Sequence, residues 1–490
     1  MKVAFIYRGA ENLGIECLSS YLKSYGHEVR LFFDPAVFSA ERGSNIPFLA
    51  KLSADWITRI VYDVWEWNPD IVAFSVYTAS YQWSLKVAKA IKKKLNVPVV
   101  FGGPHPTAEA ERVLSRAEVD AVVIGEGEGA LLDIVESLDK HRIGRNDIPN
   151  MGIRVSGQII INKPRPYIRD LDSLPFPDKS LFYEKSSAFS KAYLAMTSRG
   201  CPFRCHYCMN SIYPKLYPEE RNHVRRQSVD RVISELSPWK GISGIVTFWD
   251  DVFTLGEEWL EEFATKYPRE IGLPFLCYVH PRALSLRSAQ LLAEAGCKGV
   301  KIGVQSITEH GRKFLGRPGT PDEVKRAVSF LRKVDIPFSM DHILGLPVES
   351  KEDFLETIRF YCEVKPARVN SHWLTYFPGV KLLEKAIEDR VLTAREAEMV
   401  KDGVEQTTFM HPKHNEDERT KLEASAVMLL DLIPLISGNM VEFILKLKPF
   451  KWFSYNRILH QLLIVLASLK TGDEEVTGYV RYAFGKKNAP

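Results

Sequence analysis

The run Thr197-Ser-Arg-Gly-Cys-Pro-Phe-Arg-Cys-His-Tyr-Cys-Met209 contains three of the seven cysteines of this 490-residue chain. Cys201, Cys205 and Cys208 follow a Cys-x3-Cys-x2-Cys spacing, directly after the apolar stretch Tyr193 to Met196. Clustered thiolates are the usual protein ligands of iron–sulfur centres. The usual fourth cysteine is missing from the run. One iron of a bound cluster would therefore keep an open position, where a small substrate could bind.

Two other kinds of site can be built from clustered cysteines. A structural zinc site needs a fourth ligand, and because His206 lies inside the loop, the ligand count disfavours zinc. A disulfide would leave one of the three cysteines unpaired. The remaining cysteines are scattered without a pairing pattern, which indicates a reducing, cytoplasmic compartment; they are Cys17, Cys277, Cys297 and Cys362.

The cysteine run resembles the cluster loop of the radical S-adenosylmethionine (SAM) enzymes, including the aromatic Tyr207 before the third cysteine. This resemblance implies a [4Fe-4S] cluster on Cys201, Cys205 and Cys208, with SAM chelated to the open iron. It further implies reductive cleavage of SAM to a 5′-deoxyadenosyl radical. The electron would come from an external donor such as flavodoxin or ferredoxin.

Length and composition predict a large enzyme of several domains. The 45% apolar content is sufficient for more than one hydrophobic core. The formal net charge is only +4, which gives no general reason to expect a nucleic-acid partner. No stretch reaches the roughly 18 apolar residues that a membrane span requires.

Residues 1–140 alternate between strand and helix patterns. This alternation predicts an α/β fold with a doubly wound, Rossmann-like sheet of parallel strands. Ligands of such sheets lie beyond the carboxyl ends of the strands. Three predicted strand ends carry polar and glycine-rich residues: Ser75 to Thr78, Gly102 to Thr107 and Gly125 to Glu128.

These strand ends, together with the segment Pro69 to Val72, resemble those of the cobalamin-binding domain that precedes the catalytic domain in one class of radical SAM enzymes. A domain of the same shape that no longer binds a corrin is the alternative, because glycine-rich turns also close tight connections. The resemblance implies a cobalamin site formed by Asn12, Gly14, Ser75, Thr78, Gly102, Gly103, His105, Thr107, Gly125, Glu126 and Gly127.

The cobalt-ligating histidine of many cobalamin domains is absent from its usual place. The chain has Arg8-Gly-Ala-Glu-Asn-Leu-Gly14 where those domains have Asp-x-His-x-x-Gly. A bound cobalamin is therefore expected to be base-off, without a protein histidine ligand. His105 is interpreted either as a substitute cobalt ligand or as a turn histidine that hydrogen-bonds to the backbone.

Residues 141–190 are predicted to be a linker with a small hairpin around Ser156-Gly157, and residues 191–385 a catalytic domain. Strand patterns recur in that domain at 244–248, 274–279, 299–304, 338–344 and 368–377, with helical patterns between them. With the strand before the cysteines, they fit the partial (β/α)6 TIM-type barrel of the family. Barrel sites lie at the carboxyl ends of the strands.

Further SAM contacts are implied by the resemblance at two of these strand ends. Asp250 and Asp251 could accept a hydrogen bond from the amino group of SAM, or they could cap the following helix. Gln305 and Ser306 match a polar pair that meets the ribose and the carboxylate, with glutamine in place of the more frequent glutamate. Arg225 and Arg226 are interpreted in two ways: one of them pairs with a carboxylate of the substrate, or both are solvated surface charge.

Residues 386–490 are predicted to form a mainly helical C-terminal region. Within it, 443–469 mixes apolar and aromatic residues with Lys446, Lys448, Lys451 and Arg457. This mixture predicts either peripheral contact with an anionic membrane surface or a cover over the open side of the barrel.

The implied reaction is cobalamin-dependent methyl transfer to an unactivated carbon of an unknown small-molecule or lipid-like substrate. Two alternatives stay open at this point. The first is a cobalamin-linked radical cyclase, rearrangement or carbon–carbon coupling enzyme with a tetrapyrrole or lipid substrate. The second is an iron–sulfur electron carrier or sensor, although the missing fourth cysteine disfavours simple electron transfer.

Overall fold

The computed structural model describes residues 1–35, 55–140, 142–220, 222–404, 427–447 and 457–473. The chain divides into two compact units that interleave along the sequence. The first unit comprises Met1–Ser186, His206–His223 and Thr375–Thr408, and the second comprises Ser187–Cys205, Val224–Leu374 and Phe409–Pro490.

The first unit contains a seven-stranded sheet in the order β2-β1-β3-β4-β5-β8-β9. Strands β1 to β5 pair in parallel, so the predicted doubly wound sheet is confirmed. Because β1 pairs with both β2 and β3, the strand order reverses there, and ligands of such sheets bind at this switch point. The strands to residue 161 are β1 (Lys2–Arg8), β2 (Glu28–Asp34), β3 (Ile71–Ser75), β4 (Val99–Gly102), β5 (Ala121–Val123), a separate pair β6 (Leu138–Asp139) and β7 (Arg142–Ile143), β8 (Met151–Val155) and β9 (Gln158–Ile161).

Helices cover the parallel strands, and this explains their uninterrupted apolar sequence. Phe5 and Ile6 of β1 are at most 1% exposed, and Val72 of β3 and Phe101 of β4 are fully buried. The helices of this unit up to residue 223 are α1 (Leu13–Ser24), α2 (Asp55–Trp67), α3 (Tyr81–Lys92), α4 (Pro104–Ala108), α5 (Ala110–Leu114), α6 (Glu128–Glu136), α7 (Ser180–Tyr183) and α8 (Tyr213–Leu216).

The hairpin predicted in the linker is confirmed, and it extends the first sheet. Strands β8 and β9 are antiparallel, and β8 pairs antiparallel with β5. Ser156 and Gly157 both have positive φ, 50° and 83°, as a tight two-residue hairpin turn requires. The segment predicted as a linker therefore completes the sheet of the first unit.

Lys179 attaches the rest of the predicted linker to α1. Its ammonium group is buried and lies 2.8 Å from a carboxylate oxygen of both Glu11 and Glu16. Burial raises the pKa of Glu16, and the nearby Lys179 opposes that change. The adjacent Asp178 accepts a hydrogen bond from Ser19 Oγ at 2.6 Å. A buried charge cluster thus holds this segment on the first sheet.

The second unit contains a six-stranded, all-parallel sheet in the order β10-β13-β14-β15-β16-β17, which confirms the predicted partial barrel. Its strands are β10 (Ala192–Ala195), a separate antiparallel pair β11 (Ser198–Arg199) and β12 (Arg225–Arg226), β13 (Ile245–Phe248), β14 (Phe275–Val279), β15 (Cys297–Gln305), β16 (Phe338–Leu344) and β17 (Arg368–Trp373). Its helices to residue 374 are α9 (Val229–Leu236), α10 (Glu257–Glu270), α11 (Leu286–Glu294), α12 (Glu309–Phe314), α13 (Pro321–Lys333) and α14 (Lys351–Val364).

Serine and threonine N-caps fix where the barrel helices begin. The Ser228 side chain accepts from Arg231 N, and Thr308 accepts from Gly311 N. Ser285, Thr320 and Ser350 each form a complete capping box. Because a cap satisfies backbone donors that the first turn leaves unpaired, these residues set the starts of the helices that follow the strands.

Residues 381–401 return to the first unit as α15 (Lys381–Glu388) and α16 (Ala394–Lys401). Arg112 donates to Asp402 at 3.0 Å and to Glu398 at 2.5 Å. Arg116 donates to the same Asp402 at 2.9 Å. These ion pairs hold the end of α16 against the segment that carries α5.

The C-terminal helices α17 (Gly438–Leu447) and α18 (Arg457–Thr471) pack in the second unit. Arg368, the first residue of β17, forms a buried ion pair with Asp473 at 2.8 Å. Thr471 Oγ1 donates to Ala367 O at 3.3 Å. These contacts place the end of α18 at the amino-terminal side of the barrel sheet. In the part of the chain that the structure describes, no helix has the length and apolarity needed to cross a membrane.

Candidate functional site

Asp250 fixes the residues that lead into the cysteine loop. It lies just after β13, is 1% exposed, and accepts hydrogen bonds from Thr197 N at 3.1 Å and Thr197 Oγ1 at 2.8 Å. Its other contact is with the Ser198 hydroxyl. Asp250 does not cap the next helix, which begins after Gly256. Its carboxylate instead joins the loop entry to the second barrel strand, and its contact with SAM stays a prediction.

The interpretation of Arg226 as solvated surface charge is wrong. The guanidinium group lies 3.6 Å from the ring centroid of Trp259 and donates to Phe253 O at 2.7 Å. It also donates to Thr197 Oγ1 at 3.2 Å. Burial lowers the pKa of Arg226 to about 10, so the group stays protonated at neutral pH. Arg226 is half-buried, and the neighbouring Arg225 is buried, at 8% exposure.

Arg317 connects a cluster cysteine to the fourth barrel strand. Its Nη1 donates towards Cys205 Sγ at 3.6 Å, and its Nη2 donates to Gly303 O near the end of β15. Cys205 is 4% exposed. A buried sulfur beside a guanidinium group is suited to carry the negative charge of a metal-bound thiolate.

The three cysteines are distributed over both units. Cys201 and Cys205 belong to the second unit, whereas Tyr207 and Cys208 belong to the first, and the chain passes between the units at the Cys205–His206 peptide bond. Across the described ranges, no group of three or more His, Cys, Asp or Glu side chains could hold a metal ion. This result concerns ligands that converge on one ion, as in zinc sites. In a cluster, each thiolate binds a different iron, so the sulfurs need not converge.

Gln305 and Ser306 have different environments. Gln305 has a φ of +72° and lies at the point where the register between β15 and β16 shifts. Ser306 is 1% exposed, and its hydroxyl donates to Glu349 Oε1 at 2.5 Å. Burial raises the pKa of Glu349, which also accepts from Thr308 Oγ1 at 2.8 Å. Ser306 therefore belongs to a buried network, and the ribose contact predicted for it stays untested.

The barrel sheet lines an open cavity of about 430 Å³ that sequence reasoning did not identify. Lys301 Nζ donates to Tyr278 OH at 3.3 Å and lies 4.9 Å from that ring's centroid. Asp341 accepts from Asn370 Nδ2 at 2.9 Å. The sequence signal was the presence of charged residues inside two largely apolar strands, β15 and β16. The charged, hydroxyl-bearing and aromatic residues of the lining are Thr247, Trp249, Tyr278, Lys298, Lys301, Phe338, Ser339, Asp341, His372 and Asp473.

At the first strand end of the other unit, Asn12 has a structural role. Its side chain caps α1 by accepting from Ile15 N at 3.0 Å. A Cβ atom added at Gly14 would lie 3.2 Å from Asn12 Oδ1, so the cap favours glycine at that position. The cobalamin contacts predicted for both residues stay predictions.

His105 is buried beside Thr78, and both residues belong to the cobalamin site that the resemblance implies. Its Nδ1 lies 3.3 Å from Thr78 Oγ1, and its ring centroid is 4.1 Å from that of Tyr81. Burial lowers its pKa to about 4, so the imidazole is neutral at physiological pH. Within the described chain, its Nε2 is buried without a hydrogen-bond partner. An orphaned nitrogen at this edge of the sheet fits a site that a ligand completes.

The glycine turns after β4 and β5 are closely packed. Gly103 has a φ of +103°, and a Cβ atom there would lie 2.9 Å from Val76 O, so a larger residue would not fit. Thr107 Oγ1 accepts from Gly125 N at 3.1 Å, which joins the two turns. The turn that contains Glu126 and Gly127 is covered by Tyr217, whose hydroxyl lies 3.2 Å from Glu126 N.

The remaining predicted residues lie beside these turns. Ser75 ends β3 and Gly102 ends β4, and the two are register partners. The strand ends thus bring together Ser75, Thr78, Gly102 and His105 near the switch point, where a cobalamin ligand would fit. Sequence reasoning missed Tyr217, since it lies more than ninety residues beyond the turn that it covers.

Models of two protein families match the chain. The B12 binding domain matches residues 5–135, and the radical SAM superfamily matches residues 196–361. An uncharacterized methyltransferase of Pyrococcus horikoshii is 30% identical over 334 residues, which are 67% of this chain and 71% of the relative. The anaerobic magnesium-protoporphyrin IX monomethyl ester cyclase of Cereibacter sphaeroides is 27% identical over 342 residues, which are 66% of this chain and about half (54%) of the cyclase.

Two solved structures share the fold. The radical SAM methyltransferase TsrM from Kitasatospora setae, with cobalamin and a [4Fe-4S] cluster bound, matches with a TM-score of 0.61 and 17% identity over 79% of this chain and 75% of TsrM. The cobalamin-dependent radical SAM enzyme OxsB, with aqua-cobalamin and SAM bound, matches with a TM-score of 0.64 and 16% identity over 98% of this chain and 74% of OxsB. The two family models in tandem and the 30% identical relative show that the chain belongs to the family of cobalamin-dependent radical SAM enzymes, which includes methyltransferases and a cyclase.

Proposed function

We propose that this enzyme transfers a methyl group to an unactivated carbon of a small-molecule or lipid-like substrate. The observation that carries the proposal is the loop from Cys201 to Cys208. It follows the first strand of a parallel six-stranded barrel sheet, in a chain that also has a cobalamin-type sheet. The name of the 30% identical relative, a methyltransferase, supports the reaction type.

Cys201, Cys205 and Cys208 would hold a [4Fe-4S] cluster, and SAM would complete it. When bound, the cluster and SAM supply a 5′-deoxyadenosyl radical, and cobalamin supplies the methyl group. The protein positions the cofactors and the substrate relative to one another. Asp250 sets the loop entry, and Arg317 donates a hydrogen bond towards Cys205 Sγ at 3.6 Å. Tyr207, Asp251 and Gln305 are the side chains that we assign to SAM contacts.

The cobalamin site would use the strand ends of the first unit, with the cofactor base-off and without a protein histidine ligand. His105 supports this assignment, because its Nδ1 faces Thr78 and its ring packs on Tyr81 inside the core. We assign its Nε2 to a hydrogen bond with the cofactor's periphery. The test is the electron paramagnetic resonance spectrum of the bound Co(II) form. A spectrum without nitrogen superhyperfine splitting is expected, and a nitrogen triplet that disappears in His105→Phe would contradict it.

The barrel cavity is the proposed substrate site. At about 430 Å³ it lies in the range of small-molecule sites, roughly 300–1,000 Å³. Trp249 and Tyr278, with ring centroids 5.6 Å apart, offer an apolar surface. Lys301 offers a cation for an anionic group of the substrate. A mainly apolar substrate with one anionic group would satisfy both features.

Product analysis tests the reaction type. The anaerobically reconstituted protein is mixed with SAM and a chemical reductant, and 5′-deoxyadenosine and S-adenosylhomocysteine are quantified. A methyltransferase should form both, because one SAM gives the radical and another gives the methyl group. Cys201→Ala should lose 5′-deoxyadenosine formation and retain bound cobalamin. Continued 5′-deoxyadenosine formation by that variant would contradict the assignment.

A cyclase, rearrangement or coupling reaction is the second candidate, since one relative is named as a cyclase. Such an enzyme would form 5′-deoxyadenosine without S-adenosylhomocysteine, so the same assay separates the two reactions. We further propose that a flavodoxin or ferredoxin supplies the electron in the cytoplasm. The expected result is reduction of the cluster by either protein, observed as loss of its visible absorbance.

A further inference from the structure

One C-terminal segment of the chain is basic. Residues 438–471 contain five lysines and arginines but only one acidic residue, Glu442. The net charge of this segment is therefore +4. The basic residues are Lys446, Lys448, Lys451, Arg457 and Lys470.

Helix α18, which lies in this segment, exposes a row of large aliphatic side chains. Their spacing of three and four residues places them on one side of the helix. Ala467 and Ser468, at 1% and 0% exposure, define the buried side. The exposed row, here called the aliphatic face, consists of Leu459 (47%), Leu462 (55%), Val465 (38%), Leu466 (54%) and Leu469 (65%).

Helix α17 also combines exposed apolar side chains with an exposed lysine. Met440 and Phe443 are 50% and 56% exposed, and Lys446 is also exposed on this helix.

We propose that the aliphatic face of α18 rests in the interfacial region of an anionic lipid bilayer. Apolar side chains would enter the acyl boundary, and the exposed Lys446 and Lys470 would meet lipid phosphates. A protein partner is disfavoured by composition, because the buried cores of protein–protein interfaces are depleted in lysine. Interfacial helices combine lysine with leucine and aromatic residues. The segment would lie on the membrane and not span it, since no described helix is long and apolar enough to cross.

Co-sedimentation with vesicles tests this proposal and needs no bound cofactor. The full chain is mixed with vesicles of phosphatidylcholine containing phosphatidylserine, and with vesicles of phosphatidylcholine alone. Binding is expected to the anionic vesicles at low salt and to weaken as salt is added. A variant with Leu462→Ser, Leu466→Ser and Leu469→Ser should bind about tenfold or more weakly, because each leucine loses apolar area buried in lipid.

A matched variant controls for the loss of exposed apolar surface. Ile159→Ser, Ile161→Ser and Ile242→Ser replace side chains that are 37%, 41% and 49% exposed elsewhere, and this variant should bind as the unaltered protein does. Absence of binding to anionic vesicles at low salt would overturn the proposal. Equal binding to both kinds of vesicle would overturn its electrostatic part. Self-association that disappears in the leucine variant, without vesicle binding, would assign the face to a second copy of the chain and also overturn the proposal.

Discussion

The ring of Phe203 stacks on the imidazole of His280, with centroids 3.8 Å apart and ring planes 25° apart. Phe203 lies between Cys201 and Cys205, whereas His280 directly follows β14. The imidazole is itself fixed, because its Nδ1 accepts from Arg282 N at 3.1 Å and its ring is 2% exposed. The middle of the cysteine loop is thereby anchored to the third barrel strand.

Phe203→Ala should loosen this anchor. Aromatic pairs contribute about 0.5–1.5 kcal/mol beyond the burial of area, so we expect a moderate loss of loop order with the fold preserved. The measurement is the iron content per chain after anaerobic reconstitution, which should fall. Phe203→Tyr keeps the ring and should retain iron. Equal iron content in Phe203→Ala and the unaltered protein would show that the stack does not hold the loop.

Arg317→Met should remove the hydrogen-bond donor that lies 3.6 Å from Cys205 Sγ. Hydrogen bonds and positive charge near cluster sulfurs favour the reduced, more negative state. We therefore expect a lower reduction potential, measured by a redox titration of the cluster's paramagnetic resonance signal. Arg326→Met, at a side chain that is 56% exposed, is the control and should leave the potential unchanged. An unchanged potential in Arg317→Met would be evidence against a role for this contact.

Asp250→Ala should be strongly destabilising. The change leaves the Thr197 amide and the Thr197 and Ser198 hydroxyls buried without their acceptor, and each unpaired buried group costs about 1–3 kcal/mol. Urea unfolding should show a loss of several kcal/mol in the free energy of unfolding. An exposed aspartate elsewhere provides the control, since Asp139→Ala should change stability by about 0.5 kcal/mol or less. Similar stabilities for the two variants would contradict the role of Asp250.

Three buried histidines should make the protein less stable in mild acid. Burial lowers the pKa of His105 to about 4 and the pKa of both His280 and His342 to about 3, below the ordinary value of 6.5. Because the unfolded chain takes up these protons first, their contribution to stability is complete above pH 6.5 and is lost as the pH falls towards the folded values. The loss should approach about 1.4 kcal/mol per pH unit for each histidine.

Urea unfolding at pH 7, 6 and 5 measures this slope. His342→Gln should reduce the slope, because it removes one of the groups that protonates on unfolding. The comparison uses the slope and not the absolute stability, since the variant also loses the contact between His342 Nδ1 and Tyr361 OH, 3.0 Å in length. An identical slope in the variant would contradict burial of a neutral His342.

Lys179→Met should lower the free energy of unfolding by about 3–5 kcal/mol, because it leaves two buried carboxylates without their cation. Glu11 and Glu16 each lie 2.8 Å from the ammonium group. Thermal unfolding at neutral pH should show the loss. The control is Lys185→Met, at an exposed position a few residues later, which should have little effect. Comparable melting temperatures for both variants would exclude a structural role for the buried cluster.

The elements that depend on local pattern could be predicted from the sequence. The helical patterns predicted between the barrel strands form helices such as α9 (Val229–Leu236), where Ser228 supplies a local cap. Both parallel sheets were recognisable from their buried apolar runs. The cysteine spacing is also local, so the candidate cluster ligands needed no knowledge of the fold.

The supporting contacts could not be predicted, because they join residues far apart in the chain. Arg317 reaches Cys205 across 112 positions, and Asp250 reaches Thr197 across 53. Arg226 has the sequence signature of an exposed charge, yet it packs on Trp259 and donates hydrogen bonds to Phe253 O and Thr197 Oγ1. No sequence motif marks the charged residues of the barrel cavity, because the register of the strands decides which side chains point into the barrel.

The interleaving of the two units has a consequence for how the protein is made. The first unit includes Asp402, which accepts hydrogen bonds from Arg112 and Arg116. A ribosome must translate about four hundred codons before these hydrogen bonds can form, although the sheet of that unit is complete by residue 161. A gene fragment that stops after the first sheet would encode a first unit without its later segments, His206–His223 and Thr375–Thr408. During synthesis, co-translational chaperones therefore have a long interval in which to act on the nascent chain.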